Sequence, residues 1–128
     1  MKGTVLIVED EPNHRAVARM TLRLAGYRVC DASSGEEAMA ILDELRPDAL
    51  ILDIRLPGMD GLTVLDQIRS HQGMQRVPVV LCSAHTTTMP DAHLRDPWTG
   101  FVAKPFHPDL LVAELDDLLT ASNRESSP

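Results

Sequence analysis

Five side chains in this sequence carry chemistry that packing does not account for: Glu9, Asp10, Asp53, Ser83 and Lys104. Each follows a short apolar run: Thr4 to Val8, Ala49 to Leu52, Val77 to Cys82, and Thr99 to Ala103. Such runs read as strands buried on both faces. In an open parallel sheet, ligands bind just beyond the carboxyl ends of the strands. Three carboxylates gathered there cannot all stay ionised without a counter-charge. A hard divalent cation resolves the conflict, because Mg2+ takes one or two carboxylates, keeps several waters and leaves positions for phosphate oxygens. The Ser83 hydroxyl and the Lys104 ammonium complete an electrostatic cradle for a phosphoryl group. Asp53 is then the nucleophile, since carboxylates form acyl phosphates. Glu9 and Asp10 hold the metal, directly or through water. The Pro57-Gly58 turn follows Asp53, and the carboxylate is expected at the rim, presented to solvent.

Bringing these groups together requires a particular succession of elements. Thr4 to Val8 ends abruptly at Glu9-Asp10-Glu11-Pro12. From Asn13 to Ala25, Val17, Met20 and Leu24, with Thr21, recur at helical spacing, and Gly26 follows as a helix stop. Tyr27 to Asp31 reads as a second strand. Ser34 with Glu37 makes a capping box for a helix with Ala38, Ile41, Leu42 and Leu45 inward, stopped before Pro47. Gly61 to Ser70 carries Leu62, Leu65 and Ile68 at helical spacing. Pro108 suits the first position of a last helix, with Leu111, Leu115, Leu118 and Leu119 as its stripe.

Five strands alternating with helices predict an α/β fold, a doubly wound five-stranded parallel sheet of flavodoxin-like order 2-1-3-4-5. That order sets the tips of strands one and three side by side, and with them Glu9, Asp10 and Asp53. Between strands four and five, Thr86-Thr87-Thr88-Met89-Pro90 and Asp96-Pro97-Trp98 predict a shortened or irregular fourth helix. Residues 1–121 are expected to form one domain and 122–128 a flexible tail.

The chain has 128 residues, enough for one domain with a core. Its formal net charge of −7 argues against non-specific nucleic-acid binding. No apolar run is long enough to span a membrane, and the chain opens straight into a strand, so a cytoplasmic location is expected. Cys30 and Cys82 are expected as buried free thiols, and the five histidines show no zinc spacing.

Glu9-Asp10, Asp53 with Pro57-Gly58-Met59-Asp60-Gly61, Ser83-Ala84 and Lys104-Pro105-Phe106, each following a successive strand, resemble the receiver domain of bacterial two-component response regulators. The resemblance spans Thr4 to about Ala121. It implies that Asp53 accepts a phosphoryl group from a phosphohistidine on a sensor histidine kinase or a histidine phosphotransfer protein. It implies that the domain catalyses this transfer itself with Mg2+, and that the backbone carbonyl of Arg55 completes the metal's coordination. The peptide bond before Pro105 is expected to be cis, placing the Lys104 side chain in the site. Ser83 and Phe101 are implied as switch residues, with phenylalanine where tyrosine is common. Arg55 and His85 are implied as residues that tune the lifetime of the acyl phosphate. The face of the fourth helix, fifth strand and fifth helix is implied as a homodimer surface.

On this reading the chain is a stand-alone phosphoacceptor switch that acts on a downstream protein by contact, without touching nucleic acid or membrane. It is not an enzyme, apart from catalysing its own phosphorylation and dephosphorylation. Two variants keep the same chemistry: a phosphorelay intermediate, and the amino-terminal receiver of a longer DNA-binding regulator whose linker starts at Asn123. A phosphatase with an aspartyl nucleophile is disfavoured, because the acid/base aspartate two residues on is here Arg55.

Overall fold

The computed structural model describes residues 2–71, 73–84, 96–105 and 107–126. Strands β1 (Thr4–Val8), β2 (Arg28–Ala32), β3 (Ala49–Asp53), β4 (Val79–Ala84) and β5 (Thr99–Lys104) pair in parallel, in the order β2-β1-β3-β4-β5. Parallel neighbours need crossover connections, and α1 (Pro12–Leu24), α2 (Gly35–Leu42) and α3 (Gly61–Ser70) supply three of them. The last helix, α4 (Pro108–Ser126), follows β5. The predicted sheet order is the observed one. Val8 pairs with Leu52, so β1 and β3 end side by side.

All of β3 is buried. Because successive side chains of a strand point to opposite faces, the apolar runs fill two cores. Leu6, Leu50, Leu52 and Leu81 pack with Leu42, Val64, Leu65 and Ile68 of α2 and α3. Val5, Ile7, Ile51 and Val80 pack with Leu22 of α1 and with Leu111 and Leu115 of α4.

The helix starts follow from local chemistry. Pro12 occupies the first turn of α1, and the Glu11 carboxylate accepts the His14 N–H at 2.8 Å. Ser34 Oγ accepts the Glu37 N–H at 3.1 Å, as the capping box predicts. The Glu37 carboxylate, however, bonds Ser33 Oγ at 2.8 Å and the Ser33 N–H at 3.3 Å. Asp60 caps α3 through the Thr63 N–H at 2.9 Å, and His107 Nδ1 accepts the Asp109 N–H at 3.2 Å as α4 begins.

Several boundaries and faces differ from expectation. α2 closes at Leu42, short of Pro47. α4 continues through Ser126, so residues 122–126, expected as tail, are helical. The larger difference is in α1. Val17, Met20 and Leu24 are exposed, and Ala18 and Leu22 are the residues that α1 buries. This helix carries apolar side chains on two faces, and period alone does not say which one meets the sheet. The irregular fourth helix expected between β4 and β5 falls on residues 85–95, outside the described residues.

At the end of the sheet away from Asp53, Arg69 of α3 ties three segments together. Its guanidinium donates to Asp96 Oδ2 (2.7 Å), the carbonyls of Val77 (2.6 Å) and Trp98 (3.1 Å), and Thr99 Oγ1 (2.9 Å). Asp96 in turn accepts the Trp98 N–H at 2.9 Å and the Thr99 hydroxyl at 2.7 Å. The Trp98 backbone, expected as part of an irregular region, is thereby held at the entrance to β5.

Candidate functional site

The topology brings the predicted acids together at the tips of β1 and β3. Glu9, Asp10 and Asp53 each offer a carboxylate oxygen, all within 4.8 Å of one another. Glu9 and Asp10 follow the last residue of β1, and Asp53 ends β3. Glu9 is further fixed at its backbone, where its carbonyl accepts from Arg15 Nη1 at 2.9 Å and its N–H donates to the Ala32 carbonyl at 3.0 Å.

Lys104 enters from the end of β5. Its ammonium donates to Asp53 Oδ2 at 2.9 Å and to Glu9 Oε1. The Lys104-Pro105 bond is cis, as expected. Ser83 is buried near the end of β4, paired in register with Ala103, one residue before Lys104. The ends of β1, β3 and β5 thus bring three carboxylates and the Lys104 ammonium together.

Asp53 is only 7% exposed. The expectation that its carboxylate stands in solvent is therefore corrected: Asp10 is the exposed acid, and Asp53 lies beneath the rim with Glu9. Its carboxylate lies among those of Glu9 and Asp10 and takes the Lys104 ammonium, and α3 seats close against its backbone. Gly61 donates its N–H to the Ile54 carbonyl at 2.8 Å, and a Cβ at residue 61 would meet the Asp53 carbonyl oxygen and come within 2.6 Å of Ile54 Cα. Asp53 Oδ1 also accepts the Arg55 N–H at 3.0 Å, which orients the carboxylate from its own turn. Gly58 supplies the positive φ (+74°) that this turn needs. The Glu36 carboxylate of α2 accepts the Met59 N–H at 3.1 Å and so braces the same loop.

Burial raises the Glu9 carboxyl; the Lys104 ammonium opposes the rise, and the neighbouring Asp53 adds to it. For Lys104, burial pulls the other way, but its bonds to Glu9 and Asp53 outweigh it and raise the ammonium above its usual value. The two shifts agree. Lys104 gains two acids, whereas Glu9 gains one cation while losing water and facing another acid. Cys82, the register partner of Asp53, is a buried free thiol pushed up to about 12 by burial.

The donor set fits a hard cation, with oxygen ligands only, three carboxylates and one of them exposed. Phe101 lies on β5 in register with Leu81 and is exposed. Arg55 is exposed beside the site. His85 lies outside the described residues. Sequence reasoning missed the supporting set of Arg15, Glu36 and Gly61. Of these, only Gly61, inside the quoted Pro57 to Gly61 run, left a signal.

Among the described residues, no helix is long and apolar enough to cross a membrane. The family model of the response regulator receiver domain matches residues 5–116. The chain is 38% identical over 127 residues to the positive alginate biosynthesis regulatory protein of Pseudomonas aeruginosa, covering 97% of this chain and 47% of that protein. It is 34% identical to the DNA-binding response regulator MtrA of Mycolicibacterium smegmatis, covering 90% and 50%. The chain therefore spans about half the length of these curated relatives. For the whole protein, such relatives leave the expectation of no nucleic-acid contact without support. A putative response regulator from Chloroflexus aurantiacus superposes with a TM-score of 0.84 at 35% identity, covering 92% of this chain and 98% of that one. Vibrio cholerae chemotaxis protein CheY4 superposes with 0.80 at 30% identity, covering 90% and 97%. This chain belongs to the receiver-domain family of two-component response regulators.

Proposed function

We propose that Asp53 is a phosphoacceptor and that the domain is a signalling switch loaded by a sensor histidine kinase or a histidine phosphotransfer protein. The observation that carries this reading is the Lys104 ammonium, 2.9 Å from Asp53 Oδ2, inside a cluster of three carboxylates. An oxygen of Asp53 attacks the phosphorus of the phosphohistidine. The N–P bond breaks, the imidazole leaves with its electron pair and takes up a proton, and an acyl phosphate remains. Lys104 and the Ser83 hydroxyl receive the transferred oxygens, and the Arg55 N–H keeps Asp53 oriented. Glu9, Asp10, Asp53 and the Arg55 carbonyl are the groups that would hold Mg2+, which when bound neutralises the cluster and the incoming phosphate.

Movement of Ser83 toward the phosphate and rotation of Phe101 into the space it vacates transmit the state to the β5 face. Phenylalanine has no hydroxyl, so this read-out is by packing. Arg55 and His85 tune how long the acyl phosphate lasts. The output goes to a protein partner, or to a second copy through the β5 and last-helix face, and the site is cytoplasmic.

The test is intact-protein mass after treatment with acetyl phosphate and Mg2+. The wild type gains one phosphoryl group and Asp53→Asn gains none; equal gain by both chains overturns the assignment. A second reading, the amino-terminal receiver of a longer DNA-binding regulator, is favoured by the half-length match to the curated relatives. Coding sequence continuing past Pro128 into a DNA-binding domain decides for it.

A further inference from the structure

The loop that leaves β3 and enters α3 carries the Arg55 carbonyl, and hydrogen bonds hold it at its start, its middle and its end. At the start, the Arg55 N–H donates to Asp53 Oδ1 at 3.0 Å. At the end, the Gly61 N–H donates to the Ile54 carbonyl at 2.8 Å. Between them, the Met59 N–H donates to Glu36 Oε1 at 3.1 Å. The first two bonds close within β3, the loop and α3. The third comes from a different helix, α2, 23 residues earlier in the chain.

The seat of α2 puts Glu36 there. Gly35, the first residue of that helix, is buried, and a Cβ on it would come within 2.6 Å of Val64 Cγ2 and 3.0 Å of the Met59 carbonyl oxygen. Without a side chain at residue 35, the start of α2 closes directly on the loop. The Glu36 side chain then lies along the turn, where a Cβ at Gly58 would meet its Oε1 at 3.1 Å. Glu36 is exposed, so packing does not account for an acid here. On the near side, Leu56 is buried in the core shared with α2 and α3, and Pro57 has a fixed φ. Gly58, at φ +74°, is the joint where the loop could give. The bond to Met59 locks the far side of that joint.

We propose that Glu36 is a positioning residue for the cation: through Met59 it fixes the loop that carries the Arg55 carbonyl before a metal arrives. The inference rests on the Mg2+ site proposed above. Two plainer roles compete with it. An acid in the first turn of α2 favours the helix dipole, and an acid near the pocket raises the local concentration of cations. Both of these depend on charge. Positioning depends on an acceptor oxygen at the right reach.

The test is Mg2+ titration of the full chain by isothermal titration calorimetry, with urea midpoints to show that each variant is folded. Glu36→Ala removes the acceptor and is expected to bind Mg2+ roughly fivefold more weakly than wild type, as for loss of one hydrogen bond. Glu36→Gln keeps an acceptor at the same reach without the charge, and should bind within about twofold of wild type. Glu36→Asp keeps the charge but withdraws the oxygens by a methylene, and should bind as weakly as Glu36→Ala. Wild-type affinity in Glu36→Ala overturns the proposal, since Leu56 and the Gly61 bond then hold the loop without help. Weak binding by Glu36→Gln, or wild-type binding by Glu36→Asp, assigns the effect to charge and overturns it too. The Gln and Asp variants decide the matter if Glu36→Ala does not fold. A wild type that takes up no Mg2+ overturns the metal site itself and this inference with it, whereas a wild type that binds while its variants match it overturns this inference alone.

Discussion

The ammonium of Lys104 lies 2.9 Å from Oδ2 of Asp53, although Lys104 ends β5 and Asp53 ends β3, with β4 between them. The lysine side chain crosses the tip of the intervening strand, where Ser83 lies next to the last residue of β4. A cation held by Glu9 and Asp53 would therefore compete with the Lys104 ammonium for the same carboxylates.

Removing that competition should strengthen metal binding. Lys104→Ala is expected to bind Mg2+ roughly tenfold more tightly, about 1.4 kcal/mol, while its phosphorylation yield falls. Isothermal titration calorimetry against wild type checks the first part, and unchanged or weaker affinity contradicts it.

Glu9 gives a pH signature. Burial holds its folded pKa above the unfolded one, so its contribution to stability is complete below the unfolded value and is lost as pH rises through the folded value. Wild type should therefore lose stability relative to Glu9→Gln as pH rises above the ordinary carboxylate range. Urea midpoints across that window report it; parallel profiles for the two chains would show that Glu9 is not responsible.

Asp96 has the opposite sign. Burial works against its carboxylate, but the Trp98 N–H, Arg69 and Thr99 outweigh it and hold the pKa low. Its stabilisation is present above the unfolded value and disappears as pH falls through the folded one. Asp96→Ala should cost about 2 kcal/mol near neutrality, since it leaves a largely buried Arg69 without its acid. Chemical denaturation measures this, and a loss below about 0.5 kcal/mol would mark the pair as an ordinary surface contact.

Gly61 is the remaining lever. Gly61→Ala places a methyl against the Asp53 and Ile54 backbone and should cost about 2 kcal/mol through overpacking. Because two of those atoms belong to Asp53, the proposed phosphoacceptor, Mg2+ affinity should fall with stability. A destabilised chain with wild-type affinity would separate the two effects.

The sheet was legible because fully buried parallel strands leave continuous apolar runs, and Thr4–Val8 and Ala49–Asp53 are bounded by acids and turns. The site was legible for the same reason: Glu9, Asp10, Asp53 and Lys104 all follow from strand ends. The working face of α1 was not, because Ala18 and Leu22 compete with three larger apolar residues on the other side. Nor was the Arg69 tie. One arginine late in a helix reads as a solvent-facing charge until the fold brings Asp96 and Thr99 to it. Nor was the close seat of α3 on the Asp53 backbone at Gly61, a distance that residue types do not encode.

Cys82 has a bearing on what the pocket can keep. A thiolate beside an acyl phosphate would capture the acyl carbon as a thioester and discharge the signal without water. Burial pushes the Cys82 thiol up to about 12, so the thiol form is favoured at neutral pH. Burial thus works against the thiolate form that would act as a nucleophile. The same desolvation that buries Cys82 beside Asp53 in the sheet keeps its sulfur on the thiol side.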